Sequence, residues 1–372
     1  MKIYIFYEKI TAVIFLFIST LLFVSCSFDN NLSSNTKNEI IIYDSLNRKI
    51  VLSEPIQRVA IANAYNTDLT ELVVALGCLD RIVGIDQNIL SNNKAFHNKF
   101  SKEQLICARE GIVIDYEKLI KLRPQALLIS SKGSWEDAEK KLKYFGINVI
   151  VIDTHDLEQF SNNCDILGKI FNKQERAKEI KDYFGGKLEY VKKQLVNIPY
   201  NDRKKVYFEC GGPGATAIPG SYFYSLVKYT GGINIMEDAV ERHVVQEAVI
   251  QRNPQYIIKM SDRRWKYDYQ PPSLEEHLLI RNELVSRPGW DEIEAVKNSR
   301  IFQLSYFSHC GASKIIGVLY VAKYLYPEYL PKLNPEEVFK VWISKYLELE
   351  YIPGHTYISR LCHNKWLIFD EK

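Results

Sequence analysis

Apolar residues along the chain fall into short unbroken runs set apart by longer mixed stretches. Val59-Ala60-Ile61-Ala62, Ile82-Val83-Gly84-Ile85, Ala126-Leu127-Leu128-Ile129 and Val149-Ile150-Val151-Ile152 are runs of this kind. A strand that is apolar on both of its faces needs cover on both sides. Residues 67–76, 115–122 and 135–145, which lie between these runs, carry helix-like patterns. Strands alternating with helices predict βαβ units and a largely parallel sheet covered by helices on both faces. Upstream, Ile40–Tyr43 and Lys49–Leu52 flank Ser45-Leu46-Asn47-Arg48, which reads as a short hairpin.

Residues 173–198 form one charged pattern with apolar positions at helical spacing, a helix of about 37 Å at about 1.5 Å per residue, with Gly185-Gly186 near its middle as a potential kink. The alternation then restarts. Strands are predicted at Val206–Cys210, Tyr256–Met260 and Ile301–Leu304, and helices at 221–229, 246–252, 281–296 and 313–326. Pro335–Leu349 predicts a last helix, and the aromatic-rich tail from Tyr351 to Lys372 has no assignment. The fold class predicted is α/β, two lobes with central, mostly parallel sheets joined by a single long helix. The divisions are 1–25 signal peptide, 26–39 anchor and tether, 40–156 first lobe, 157–200 connecting helices, 201–331 second lobe and 332–372 C-terminal helix and tail.

Composition agrees with a folded globular chain: 372 residues, 47% hydrophobic, 25% charged and 12% aromatic, which excludes disorder and collagen. The length suggests two units, each able to bury a core of its own. Forty-eight basic against 45 acidic residues leave +3, too balanced for a nucleic-acid surface. Lys2 and Lys9 precede an uncharged run from Ile10 to Val24, the layout of a secretory signal peptide rather than a spanning helix. Phe23-Val24-Ser25-Cys26 resembles the lipobox of bacterial lipoproteins, which implies that Cys26 is acylated and holds the chain on a membrane surface outside the cytoplasm. The other six cysteines, Cys78, Cys107, Cys164, Cys210, Cys310 and Cys362, show no CxxC spacing; buried thiols and disulfides both remain open.

The two halves echo each other. Glu117-Lys-Leu-Ile-Lys-Leu-Arg-Pro124-Gln125 and Glu247-Ala-Val-Ile-Gln-Arg-Asn-Pro254-Gln255 share one spacing, and eleven residues after each proline stands a tryptophan, Trp135 and Trp265. Equivalent lobes would place both just beyond strand C-termini, where open α/β sheets bind ligands. The ordered series Arg58-Val-Ala-Ile-Ala, Leu72 to Asp86, Tyr116 to Pro124, Leu226 to Ile235, Gln246 to Pro254 and Gly317 to Pro327 resembles the helical-backbone substrate-binding proteins of ABC importers for ferric siderophores, haem and cobalamin, over about residues 40–330. That resemblance implies a ligand cleft between the lobes, limited hinge closure, and transfer to a permease dimer with a cytoplasmic ATPase. It also implies that one surface glutamate on each lobe, here Glu117 and Glu247, meets arginines of the permease. An acid in the first turn of a helix also has a local explanation, since it complements the helix dipole.

The resemblance supplies loops rather than chemistry, so the ligand residues come from strand ends: Tyr65 and Trp135 in the first lobe, and Glu209, Arg263, Arg264, Trp265, Tyr306 and His309 in the second. Aromatics would stack on a large conjugated or catecholate ligand, and arginines would pair with its anionic oxygens. The ligand expected first is a ferric siderophore, then haem, then cobalamin, with no resident cofactor or metal. A different class, a binder of free zinc or manganese, would use His243, His309 and Glu209. The loop Gly211–Gly220 lacks the GK[ST] ending of a phosphate cradle, and neither GxSxG nor HExxH occurs, so no enzyme is expected.

Overall fold

The structure, a computed structural model, describes residues 39–63, 67–92, 96, 98–108, 113–260, 269–309, 311–359, 361–362 and 365–366. Two strands, β1 (Ile40–Tyr43) and β2 (Lys49–Leu52), pair antiparallel as the predicted hairpin. Asp44 closes its turn: its carboxylate accepts from the backbone N–H of Leu46 and Arg48 and from the Arg48 guanidinium.

The first lobe is built on a six-stranded sheet of order β6-β5-β4-β3-β7-β8. Its strands are β3 (Val59–Ala62), β4 (Ile82–Asp86), β5 (Leu105–Ala108), β6 (Val113–Ile114), β7 (Ala126–Ile129) and β8 (Asn148–Val151). All neighbours run parallel except β5 and β6. Helices α1 (Asp68–Ala75), α2 (Gln87–Asn92), α3 (Tyr116–Lys121) and α4 (Trp135–Leu142) fill the crossovers. Strands β3 and β7 are buried at every position, as their unbroken apolar sequences require.

Helix α5 (Phe160–Phe171) precedes the connector, which runs from α6 (Gln174–Ile180) through a π-helical turn at Lys181–Gly185 into α7 (Gly186–Leu195). The glycine pair at 185 and 186 thus marks a wide turn inside a continuing helix rather than a break.

The second lobe carries a five-stranded sheet of order β10-β9-β11-β12-β13. Its strands are β9 (Lys205–Cys210), β10 (Ile233–Asn234), β11 (Tyr256–Met260), β12 (Ile301–Leu304) and β13 (Thr356–Ser359), with only β13 antiparallel. The unassigned tail therefore supplies the edge strand. Helices α8 (Ser225–Lys228), α9 (Gln246–Arg252), α10 (Leu274–Val285), α11 (Glu294–Lys297), α12 (Gly311–Leu325) and α13 (Pro335–Val341) complete the lobe. The single helix expected at 281–296 is two. Ser273 and Glu276 form a capping box that starts α10 earlier, and Pro288 with Gly289 (φ +75°) stops it.

Each sheet buries a smaller apolar cluster on one face, but the largest core is shared. It runs from Ile42 and Leu72 through Phe184 and Leu188 of the connector to Phe208, Ile315 and Trp342. Helix α12 lies at its centre and packs against α1, α7, α8 and α13, so residues 40–372 form one compact unit. Gly317 permits this: a Cβ there would stand 2.5 Å from Ser308 Cβ and 2.9 Å from Leu226 Cδ2.

Candidate functional site

The C-terminal ends of the parallel strands carry the polar residues that meet between the lobes. After β8 the chain turns through Asp153, whose carboxylate accepts from the His155 N–H at 3.0 Å and from Ser131 Oγ at 2.8 Å, while its own N–H donates to Ser45 Oγ. This pins the imidazole of His155. Its Nε2 lies 2.6 Å from the Tyr222 hydroxyl and 3.3 Å from Ser130 Oγ, and its ring meets that of Tyr222 edge-on at 3.9 Å. From α12 the fully buried Lys314 donates to the His155 carbonyl at 2.9 Å. Burial, reinforced by the Lys314 charge and opposed by Asp68 and Asp153, holds the His155 pKa below its usual value, so the ring is neutral.

A second junction lies on α1. Glu71 accepts from Thr67 Oγ1 at 2.8 Å on its own helix and from the Tyr269 hydroxyl at 2.7 Å in the other lobe, and Trp342 Nε1 donates to that same hydroxyl at 3.1 Å. Burial outweighs these hydrogen bonds and raises the Glu71 pKa to about 7. Asp86, at the end of β4, caps the next turn through the N–H groups of Asn88 and Asn63, and burial likewise lifts it to about 7. Asp68, in the first turn of α1, is 1% exposed and accepts from Asn63 Nδ2. Three buried acids and a neutral imidazole therefore line the first lobe's side of the junction, and a tyrosine, a lysine and a tyrosine–tryptophan pair meet them from the second.

The residues singled out from sequence distribute unevenly. Glu209 is fully buried: Arg287 donates to both its carboxylate oxygens at 2.8 Å, Lys259 to one at 2.9 Å, and Tyr207 and the Gly214 N–H to the other at 3.1 Å. Its oxygens are consumed within the second lobe, which removes it both from the ligand set and from a zinc or manganese site with His243, which is exposed. Among the described residues no group of three or more His, Cys, Asp or Glu side chains is placed to hold a metal. Tyr306 is 5% exposed and packs edge-on to Phe223 at 6.1 Å, a core position rather than a free platform. Trp135 begins α4, half-buried against the smaller core of the first sheet, with the Arg48 guanidinium 4.6 Å from its ring centroid. Glu117 and Glu247 both lie in the first turn of their helices, α3 and α9, and both are exposed; Glu117 pairs with Lys121 at 2.6 Å. Cys26, Tyr65, Arg263, Arg264 and Trp265 lie outside the described residues, and of His309 only the backbone, in a helical turn at Tyr306–His309, is described. Cys78, Cys107 and Cys164 are buried free thiols, and Cys210 is buried with its Sγ 3.6 Å from the Met260 sulfur.

Sequence reasoning missed His155, Tyr222, Lys314, Glu71 and Tyr269. The strand-end position that points to Tyr65 and Trp135 is shared by His155, three residues beyond the predicted strand 149–152. Nothing local marks Lys314 or Tyr269, whose first-lobe partners, His155 and Glu71, lie more than 150 residues away.

Two parallel α/β lobes joined by one helix, with strand C-termini meeting across a polar junction, define a two-lobed ligand-binding protein. Residues 63–306 match the periplasmic binding protein family, and the chain belongs to it. YvrC of Bacillus subtilis (strain 168), an uncharacterised ABC transporter substrate-binding lipoprotein, is 22% identical over 298 residues, 78% of this chain and 86% of its own. The molybdate-binding protein MolA of Haemophilus influenzae is 19% identical over 364 residues, 90% of this chain and 98% of its own. The haem-uptake protein IsdE of Staphylococcus aureus is 26% identical over 198 residues, half of this chain and 62% of its own. Among solved structures, the TroA-like binding protein FepB of Veillonella parvula superposes with a TM-score of 0.73 at 22% identity, covering 86% of this chain and 99% of that one. The chain is thus a substrate-binding protein of the ABC transporter class, and its relatives are solute binders rather than enzymes.

The buried Glu209 centre yields a stability prediction. Burial alone would raise the Glu209 pKa, but Arg287 and Lys259 outweigh it and hold it below the ordinary glutamate value. Its contribution is therefore present above that ordinary value and lost as pH falls through it and below. Arg287→Met leaves the carboxylate with one cation and is expected to cost about 3–5 kcal/mol in urea unfolding at pH 7. The difference from wild type should narrow toward pH 4. An equal loss at both pH values would mean that the damage is steric rather than ionic.

Proposed function

We propose that this protein is a lipid-anchored, extracytoplasmic binding protein that captures an iron complex, a ferric siderophore first, and delivers it to an ABC permease, with haem or the cobalt corrinoid cobalamin as the alternative ligand. The observation that carries the reading is the junction itself. His155, just beyond β8 of the first lobe, meets Tyr222 and the α12 residue Lys314 of the second, and a single continuous helix links the lobes. A ligand seated there touches both lobes at once, so binding and lobe closure are coupled. Stacking by Trp135, Tyr65 and Trp265 and charge pairing by Arg263 and Arg264 would supply recognition. The haem-uptake relative IsdE and the lipoprotein relative YvrC support the iron and anchor parts of this reading.

Tryptophan fluorescence of the chain from residue 27 onward, titrated in parallel with ferric siderophores, haem, cobalamin and molybdate, tests the ligand class. Trp290 is fully buried against Tyr207 within the second lobe and gives a steady background, so quenching reports the other indoles. Saturable quenching at micromolar or tighter affinity by an iron complex is expected; saturation by molybdate alone would overturn the iron reading.

Docking rests on Glu117 and Glu247, exposed at the same place on their helices. Two weak contacts reinforce each other through effective concentration, so charge reversal at either should cut uptake at least tenfold while ligand affinity stays within twofold. Lost affinity would place the glutamates in the binding site instead. For the anchor, Cys26→Ala should move the protein from the membrane fraction to the soluble one. Retention would show that residues 10–24 persist as an uncleaved anchor.

A further inference from the structure

The first lobe's side of the junction holds more acceptor capacity than the described residues use. Asp68 is 1% exposed, and while its Oδ1 accepts from Asn63, its Oδ2 has no hydrogen-bond partner among the described residues. Nor does any described lysine or arginine pair with it. The Nδ1 of His155 is likewise buried and without a partner, and so is the hydroxyl of the adjacent Thr154. Asp68 follows β3 and Thr154-His155 follows β8, so these atoms stand along one edge of one sheet, where strand C-termini face the second lobe. The two groups are close enough that Asp68 raises the proton affinity of His155.

A buried carboxylate oxygen without a donor costs about 1–3 kcal/mol or more, which a fold retains where a ligand supplies the donor. The charge of the region narrows what that ligand can be. Three carboxylates, Asp68, Glu71 and Asp86, are buried on this side of the junction against one buried lysine, Lys314, which donates to the His155 carbonyl. An oxyanion brought here would be repelled, while a positively charged nitrogen would be attracted and would gain charge-assisted hydrogen bonds.

We infer that the first lobe carries a cation-accepting subsite, formed by Asp68 Oδ2 and the His155 imidazole with Thr154 beside it, that takes an ammonium or amine group of the bound ligand. It rests on the binding-protein reading above and adds to it the charge class of the ligand. The Nε2–H tautomer of His155, donating to Tyr222, leaves Nδ1 as the acceptor this requires. Asp68 is here a specificity residue, distinct from Glu71 and Asp86, whose oxygens already have donors.

Two measurements test the inference. In the first, the full chain is titrated with the ferric complex of a linear trihydroxamate bearing a terminal ammonium and with the same complex N-acetylated. The ammonium form is expected to bind at least tenfold tighter, and Asp68→Asn should reduce that preference to within twofold by weakening the ammonium form alone. Equal binding of both forms by the wild type, or an undiminished preference in the variant, overturns the inference. The second needs no ligand. Asp68→Asn keeps the acceptor for Asn63 and replaces the carboxylate oxygen that has no donor among the described residues, so the ligand-free variant should melt about 2 °C higher. A lower Tm, or failure to fold, makes Asp68 a structural carboxylate and overturns the subsite. If neither ferric complex binds, the iron reading falls, and the melting comparison still decides the subsite.

Discussion

The fully buried ammonium of Lys314 is the contact on which the rest of the arrangement depends. An ammonium ion is costly to remove from water unless hydrogen-bonded acceptors surround it. Lys314 sits near the start of α12, a helix whose other buried positions are nearly all apolar, and finds the carbonyl of His155 in the opposite lobe. Separating the lobes at this point would leave the charge without that acceptor. The same carbonyl belongs to the turn that aims the His155 ring at Tyr222, so one contact fixes both the lobe spacing and the orientation of a site residue. Shared packing then makes the arrangement stiff. One core passes from the first sheet through the connector to the second, and Gly317 lets α12 close onto the turn at Tyr306–His309.

Backbone architecture was largely legible in the sequence because its signals are local. A run such as Ala126–Ile129 is apolar at every position, which only a strand covered on both faces satisfies, and β7 is buried throughout. The glycine pair at 185 and 186 marked the middle of the connector, though as a π turn that keeps the helix continuous. The errors have physical causes. The helix expected at 281–296 ignored Ser273 and Glu276, which cap an earlier start, and Pro288-Gly289, which ends it. Strand β13 escaped because its residues gain strand structure by pairing with β12, a contact made across some 50 residues of chain.

The site was far less legible. Glu209 looked available because a strand-end acid beside a glycine-rich loop carries no sign of where its partners lie. Lys259 stands on the neighbouring strand, directly in register with it, and Arg287 lies 78 positions away. Tyr306 follows a strand like a ligand residue, yet its ring turns inward onto Phe223. Conversely Lys314 is hidden in an apolar helix, and Tyr269 gains its role only when Glu71 and Trp342 arrive from either end of the chain. Strand-end position thus selects the right edge of a sheet, whereas side-chain direction depends on partners that sequence does not reveal.

Charge at the junction ties stability to binding. Glu71 and Asp86 are raised to about 7 in the folded protein, above their values in an unfolded chain. Their protonated forms therefore favour the folded state, a contribution complete below the ordinary carboxylate range and lost as pH rises through about 7. Near neutrality the first lobe holds these protons loosely. A cationic group arriving beside Asp68 would lower the proton affinity of both acids and release part of that store, so the ligand's charge would replace protons that the fold had been keeping. An anionic group would have to do the reverse and load protons onto the same side chains. Among the described residues the acid oxygen without a donor, Asp68 Oδ2, stands on the lobe where Glu71 and Asp86 already accept hydrogen bonds, which is the placement the first exchange requires.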